Sequence, residues 1–221
     1  MEDGKRLWDR FNHSYCECPS IELSLDISRI DFDEAFLTEM EPRMQQAFVE
    51  MDALEGGAIA NPDEERMVGH YWLRDPNLSP SPQIGAEIRD VLHQIKTFAA
   101  DVHAGRILSP EGKKFDHVLS IGIGGSALGP MFVSDALATT DAKMGISFVD
   151  NTDPGGIART LSRLGEQLKQ TLVIVITKSG GTPDTRNGMA LVRQAYVQRG
   201  LEFSRHAVAV TMHGSKMDQL A

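Results

Sequence analysis

Residues 117–130 read His-Val-Leu-Ser-Ile-Gly-Ile-Gly-Gly-Ser-Ala-Leu-Gly-Pro, and their reading decides the fold. The first half, ending at Ile121, is a short apolar run of the kind that forms a buried strand. The second half places Gly122, Gly124, Gly125, Ser126 and Gly129 close together, and Met131, Phe132, Val133, Ala136 and Leu137 then predict a helix. Strand, glycine-rich turn and helix make a device for holding a phosphorylated or otherwise polar ligand. Glycines let the backbone approach, while the helix N-terminus offers free amide hydrogens and partial positive charge.

Downstream the same alternation repeats. Short β-branched runs at 117–121, 146–150, 172–177 and 207–211 predict strands, and 127–139, 154–168 and 182–199 predict helices between them. This β-α-β-α-β-α-β order implies an α/β fold: a doubly wound parallel sheet with right-handed crossovers, covered on both faces. The strands are almost continuously apolar, as strands buried on both sides should be.

Upstream of about Phe115 the pattern is different. Residues 1–30 show little periodicity apart from Ile21, Leu23, Leu25 and Ile27, a short strand or extended arm. Asp33 is placed to cap a helix carrying Ala35, Phe36, Met40, Met44, Ala47, Phe48, Met51 and Leu54, which Pro42 should kink or divide and Gly56-Gly57 should end. Asn61-Pro62 reads as a second helix start, running through Trp72, with Met67, His70, Tyr71 and Trp72 as packing residues. Pro76, Pro80 and Pro82 mark a connector, and Ser81-Pro82 opens a helix that reaches Ala104 before Gly105. The expected organisation is an N-terminal arm and helical extension over 1–114, then an α/β domain over 115–221.

Composition narrows the function. The 221 residues are 41% hydrophobic and 24% charged, ordinary globular values. No apolar run is long enough for a bilayer, and the opening Met-Glu-Asp-Gly-Lys-Arg lacks a signal-peptide core, so a cytoplasmic protein is expected. A formal charge of −9 argues against a nucleic-acid partner, which needs clustered Lys and Arg. It permits a small anion, which needs only a few aimed donors. Cys16 and Cys18 are poorly spaced for a structural disulfide and fit a reducing compartment. With His13 they supply three ligands where a closed zinc site wants four, so no metal is expected there and the segment reads as exposed and weakly ordered.

In an open parallel sheet, ligands sit beyond the strands' carboxyl ends. After the first strand, Gly122-x-Gly124-x-x-Ala127 satisfies a dinucleotide fingerprint, and Asp150 ends the second strand where a ribose-binding acid would stand. The third strand ends in Thr177-Lys178-Ser179-Gly180-Gly181-Thr182-Pro183-Asp184-Thr185. Three hydroxyls, an ammonium and two glycines at a helix N-terminus make a cradle for a terminal phosphate. It is not the nucleotide P-loop pattern, and a dinucleotide fold has no need of it. The ligand implied is a small phosphorylated molecule with hydroxyls, such as a sugar phosphate.

These motifs carry a resemblance. Ile121-Gly-Ile-Gly-Gly-Ser-Ala-Leu-Gly-Pro130, Asp150-Asn-Thr-Asp-Pro154 and Thr177-Lys-Ser-Gly-Gly-Thr-Pro-Asp-Thr185 resemble, in order and spacing, three motifs of the phosphoglucose isomerase family. Glu64-Glu65-Arg66 through Trp72 resembles its bacterial, cyanobacterium-like branch. The likeness covers roughly 60–221 and implies a flavodoxin-like sugar-isomerase (SIS) domain, a three-layer α/β/α fold, preceded by the helical extension. It implies that Thr177, Lys178, Ser179 and Thr182 hold the 6-phosphate and that Gly125 and Ser126 touch the sugar. Thr177 stands where many members have serine, and Asp184 where many have glutamate. The resemblance further implies glucose 6-phosphate to fructose 6-phosphate isomerisation in glycolysis and gluconeogenesis, without cofactor, in a homodimer. The family's base, an aldose–ketose requirement for moving a proton between C2 and C1, belongs to a second SIS domain. No catalytic residue is therefore assigned in this chain, which is expected to be inactive alone. Its last residues, Gly214–Ala221, are expected to begin a helix. His206 and His213 read as structural or surface residues. The alternatives are a non-catalytic SIS-type sugar-phosphate regulator and, third, a dinucleotide-dependent oxidoreductase.

Overall fold

The computed structural model describes residues 2–221, which form two compact units that divide between Asp90 and Val91. The first begins with helix α1 (Glu2–Ser14), followed by an antiparallel hairpin of β1 (Tyr15–Cys18) and β2 (Leu23–Asp26). The short strand offered as one reading of 21–27 is present as β2, whereas α1 is missed and the Cys16–Cys18 segment, expected to be weakly ordered, is a paired strand. The anchor of α1 is Arg10, whose guanidinium donates to the Ser28 (2.8 Å), Ile30 (2.6 Å) and Phe32 (3.0 Å) carbonyls and lies 4.7 Å from the Phe32 ring centroid. One side chain thus satisfies three otherwise open acceptors of the following loop.

Helix α2 (Glu34–Glu55) starts where Asp33 accepts from the Phe36 amide at 2.8 Å, and ends at Gly56. Pro42 sits inside it without dividing it. A proline removes a single amide, and the ladder on either side is long enough to continue.

The helix expected from Pro62 does not form. Residues Ile59–Asn61 (β3) and Arg66–Met67 (β4) pair as a small hairpin, with Glu65 at φ +51° reversing the chain. Asn61 does accept from the Glu64 amide at 3.2 Å. That local bond serves a helix cap and an Asx turn equally, which is why the sequence reading goes astray. Helix α3 (His70–Arg74) is only a short remnant; Trp72 is buried and donates to the Glu55 carbonyl at 2.9 Å, while Met67 and His70 are exposed. Helix α4 (Pro82–Ala104) opens at Ser81-Pro82 and closes at Gly105 (φ +74°), as expected.

The second unit follows the predicted alternation: β5 (His117–Ile121), α5 (Leu128–Ala136), β6 (Gly145–Val149), α6 (Pro154–Leu164), β7 (Thr171–Ile176), α7 (Pro183–Gln198) and β8 (Ala207–Val210). All four strands are parallel in the order β6-β5-β7-β8, a doubly wound sheet of flavodoxin-like order. Alternate residues serve opposite faces. Leu119, Ile121, Val173 and Val175 pack with Ile157, Leu161 and Leu164 of α6 and Val192, Ala195 and Tyr196 of α7. Each Leu, Ile or Val side chain, fully buried, contributes about 1.5–3 kcal/mol. On the other face Leu172 packs with Phe115 and with Val102 of α4, so the end of α4 belongs to this unit and not to the extension. Helix α5 buries none of its residues, and Leu128, Phe132 and Val133 lie exposed. Residues 213–220 form turns where the sequence suggests a helix.

Candidate functional site

Chain order dictates where a ligand can sit. After β5 the chain moves to β6 on one side, then crosses back to β7 on the other. The strand order therefore reverses between β5 and β7, and a crevice opens beyond their carboxyl ends. Ile121 pairs with Val175, so the loops after these two strands leave neighbouring strands at one edge. These loops hold all six candidate residues: Gly125 and Ser126 in one, Thr177, Lys178, Ser179 and Thr182 in the other.

The loop after β7 is held from beneath. The Thr177 amide donates to the Val210 carbonyl (3.0 Å), and its buried hydroxyl oxygen accepts from the Gly180 amide (3.2 Å). Ser179 Oγ accepts from the Gly181 amide (3.2 Å). The Lys178 and Ser179 carbonyls accept from the Met212 and Lys216 amides, each at 3.2 Å. Gly180 takes φ +73°, and a Cβ there would collide with the Met217 backbone nitrogen. The glycine is therefore required by conformation and by space together. Lys178 and Ser179 are exposed. Thr182 occupies the N-cap position of α7 without making a side-chain cap bond, and Pro183 follows in the first turn. Its hydroxyl is not consumed by the helix, and the first-turn amides of a long helix carry partial positive charge.

The loop after β5 is a tight 3₁₀ turn, Gly124–Ser126. The Ser126 and Ala127 amides donate to the Ile123 (3.1 Å) and Gly124 (3.0 Å) carbonyls, closing the turn. Gly124 has φ +56°, and open space surrounds the Cα atoms of both Gly124 and Gly125. Gly122 is different: a Cβ there would stand 2.8 Å from Ser126 Cβ, so it permits the turn to fold back on itself.

The third motif is structural in what it contacts. Asp153 caps α6, accepting from the Gly155 (3.0 Å) and Gly156 (2.7 Å) amides, while Asn151 donates to Asp150 at 2.9 Å. Asp150, the residue in the ribose-acid position, is thus bonded within its own loop.

Sequence reading missed the support under the cradle. The Thr211 hydroxyl is within 3.3 Å of the Lys178 carbonyl and 2.7 Å of Ser215 Oγ, and Ser215 Oγ accepts from the Asp218 amide at 3.1 Å. The available signal was a hydroxyl at the end of the fourth strand, followed by another four residues later. The histidines lie apart from any such role. His206 is fully buried between the Phe115 and Tyr196 rings with Nδ1 2.9 Å from the Glu202 carbonyl, and His213 is exposed beside Asp218. Burial away from solvent pushes the Tyr196 phenol well above its ordinary range, so it remains a neutral donor to the Thr171 carbonyl. A groove of about 580 Å³ between α7 and β8, lined by Val175, Met189, Val197 and Phe203 among others, is mainly apolar and lacks the cradle's donors.

Comparison with known proteins gives a consistent result. The family pattern described as phosphoglucose isomerase matches residues 26–221. A glucose-6-phosphate isomerase of Synechococcus elongatus is 56% identical over 218 residues, covering 99% of this chain and 41% of the relative. One from a Geobacter species is 56% identical over 217 residues, covering 98% and 41%. Among solved structures, a glucose-6-phosphate isomerase from Chlamydia trachomatis superposes with TM-score 0.77 at 28% identity, covering 95% of this chain and 41% of that one. The chain therefore spans about 41% of the length of the curated relatives it matches.

Proposed function

The chain belongs to the phosphoglucose isomerase family, and on that premise we propose that it supplies the sugar-phosphate-binding part of a glucose-6-phosphate isomerase. In this reading the 6-phosphate lies at the N-terminus of α7. The hydroxyls of Thr177, Ser179 and Thr182 and the ammonium of Lys178 donate to its oxygens, and the helix-end field adds to them. Gly125 and Ser126 face the sugar, and glycine there lets the ring come close to the backbone.

The observation that supports this best is the meeting of both loops at the single point of strand reversal, one of them carrying three hydroxyls and a lysine. Isomerisation of an aldose to a ketose passes through an enediol, and requires a carboxylate that moves a proton between C2 and C1. No carboxylate of this chain matches that role by motif, so the chain alone binds without turning over. The complete enzyme would be a cytoplasmic homodimer whose chemistry draws on residues outside these 221.

The test is a coupled assay of the purified chain for conversion of glucose 6-phosphate to fructose 6-phosphate, paired with calorimetric titration. Binding without turnover supports the reading. Measurable turnover would overturn the assignment of the base to another part, and absence of binding would overturn the cradle.

A further inference from the structure

We propose that Thr211 and Ser215 are positioning residues: a one-directional hydroxyl relay that fixes the peptide joining Lys178 to Ser179 for ligand. The role rests on the sugar-phosphate reading above. The order of the hydrogen bonds is set at both ends, because a backbone amide only donates and a carbonyl only accepts. The Asp218 amide donates to Ser215 Oγ at 3.1 Å, and the Thr211 hydroxyl donates to the Lys178 carbonyl at 3.3 Å. The 2.7 Å contact between the two hydroxyls therefore runs one way, from Ser215 Oγ to Thr211 Oγ1. Every proton points from Asp218 toward Lys178, and bonds aligned head to tail strengthen one another. Each of the two positions must accept and donate at once, which a hydroxyl does and an aliphatic side chain does not.

The turn that carries the relay is closed on its own account. The Asp218 carboxylate accepts from the Gly214 amide at 2.7 Å, and the Lys216 amide donates to the Ser179 carbonyl at 3.2 Å. The Lys178 carbonyl takes a second bond, from the Met212 amide at 3.2 Å. A trans peptide is planar, so a carbonyl held on one side sends the following N–H to the other. The Ser179 N–H, which makes no hydrogen bond among the described residues, is thereby held pointing away from the 211–218 segment. Two donors on the carbonyl also polarise the peptide and leave that N–H a stronger donor. The relay thus sets the direction in which Lys178 and Ser179 leave the backbone, without itself touching a ligand.

The experiment compares the whole chain with Thr211→Val, Thr211→Ser, Ser215→Ala and, as a control destabilised elsewhere, Asp153→Ala. Carbonyl-carbon NMR reads the relay without ligand, and calorimetric titration with glucose 6-phosphate reads its consequence. The Lys178 carbonyl resonance should move upfield in Thr211→Val and stay in place in Thr211→Ser. Binding should weaken about 5-fold or more in Thr211→Val and about 2-fold or more in Ser215→Ala, the range of one lost neutral hydrogen bond. Thr211→Ser should restore it, and Asp153→Ala should leave it unchanged. Should Thr211→Val not fold, Ser215→Ala removes the middle of the relay from a half-buried position and carries the same test. Parent-like binding by the folded variants, no rescue by Thr211→Ser, or an equal loss in Asp153→Ala would overturn the positioning role while leaving the sugar-phosphate reading intact. A parent that does not bind glucose 6-phosphate would overturn that reading and the positioning role with it.

Discussion

At the scale of single residues, glycine and lysine carry separable burdens in the cradle. Gly180 and Gly112 share φ +73°, but a Cβ meets the Met217 backbone at the first and nothing within 4 Å at the second. Left-handed strain alone costs about 1 kcal/mol, and a backbone collision adds roughly as much again. Gly180→Ala should therefore destabilise by about 2 kcal/mol or more in urea unfolding, and Gly112→Ala by about half that. Equal effects would remove the argument that the loop needs close approach. Lys178 is exposed, and in the proposed reading its ammonium meets the phosphate. Lys178→Ala should leave the unfolding midpoint nearly unchanged while weakening glucose 6-phosphate binding about 10-fold or more, as loss of a charge-assisted contact does. Calorimetry on both proteins checks it.

At the scale of elements, the caps and strand ends decide. Asp153 satisfies two first-turn amides of α6, so Asp153→Ala should cost about 1 kcal/mol, measurable by chemical denaturation. His117 begins β5 with its ring nitrogen 2.9 Å from Ser147 Oγ, and burial lowers its pKa from 6.5 although Asp116 opposes this. The unfolded chain therefore binds the proton more readily than the fold does. Stability is full above 6.5 and declines as pH falls below it toward the lowered folded value. A His117→Gln variant should show a flatter pH dependence in that range; an unchanged slope would assign the effect elsewhere.

The same scale shows what sequence could reveal. Strands β5 to β8 are legible because a strand buried on both faces must be apolar throughout, and α4 because the Ser81-Pro82 start is followed by a long run of apolar residues at helical spacing. The hairpin at 59–67 is not legible, since Asn61 makes the same side-chain bond in a turn as in a cap. Helix α1 is hidden because Arg10 anchors it to the carbonyls of Ser28, Ile30 and Phe32, a contact spanning 18 to 22 residues. The cradle could be read from Thr177–Thr182, but its support by Thr211 and Ser215 comes from the segment after strand β8, and only folding brings it near.

At the scale of the molecule, the two loops make sense only together, because the strand order places them on either side of one crevice. The family assignment rests on most of the chain, while the proposed sugar-phosphate binding rests on this crevice. The most direct measurement is a backbone amide NMR titration of the 221-residue chain with glucose 6-phosphate, and with unphosphorylated glucose as control. The account predicts saturable shifts from the phosphorylated sugar concentrated at Gly125, Ser126 and Thr177–Thr182, absent with glucose and reduced in Lys178→Ala. Shifts of equal size with glucose, or shifts centred away from these two loops, would contradict it.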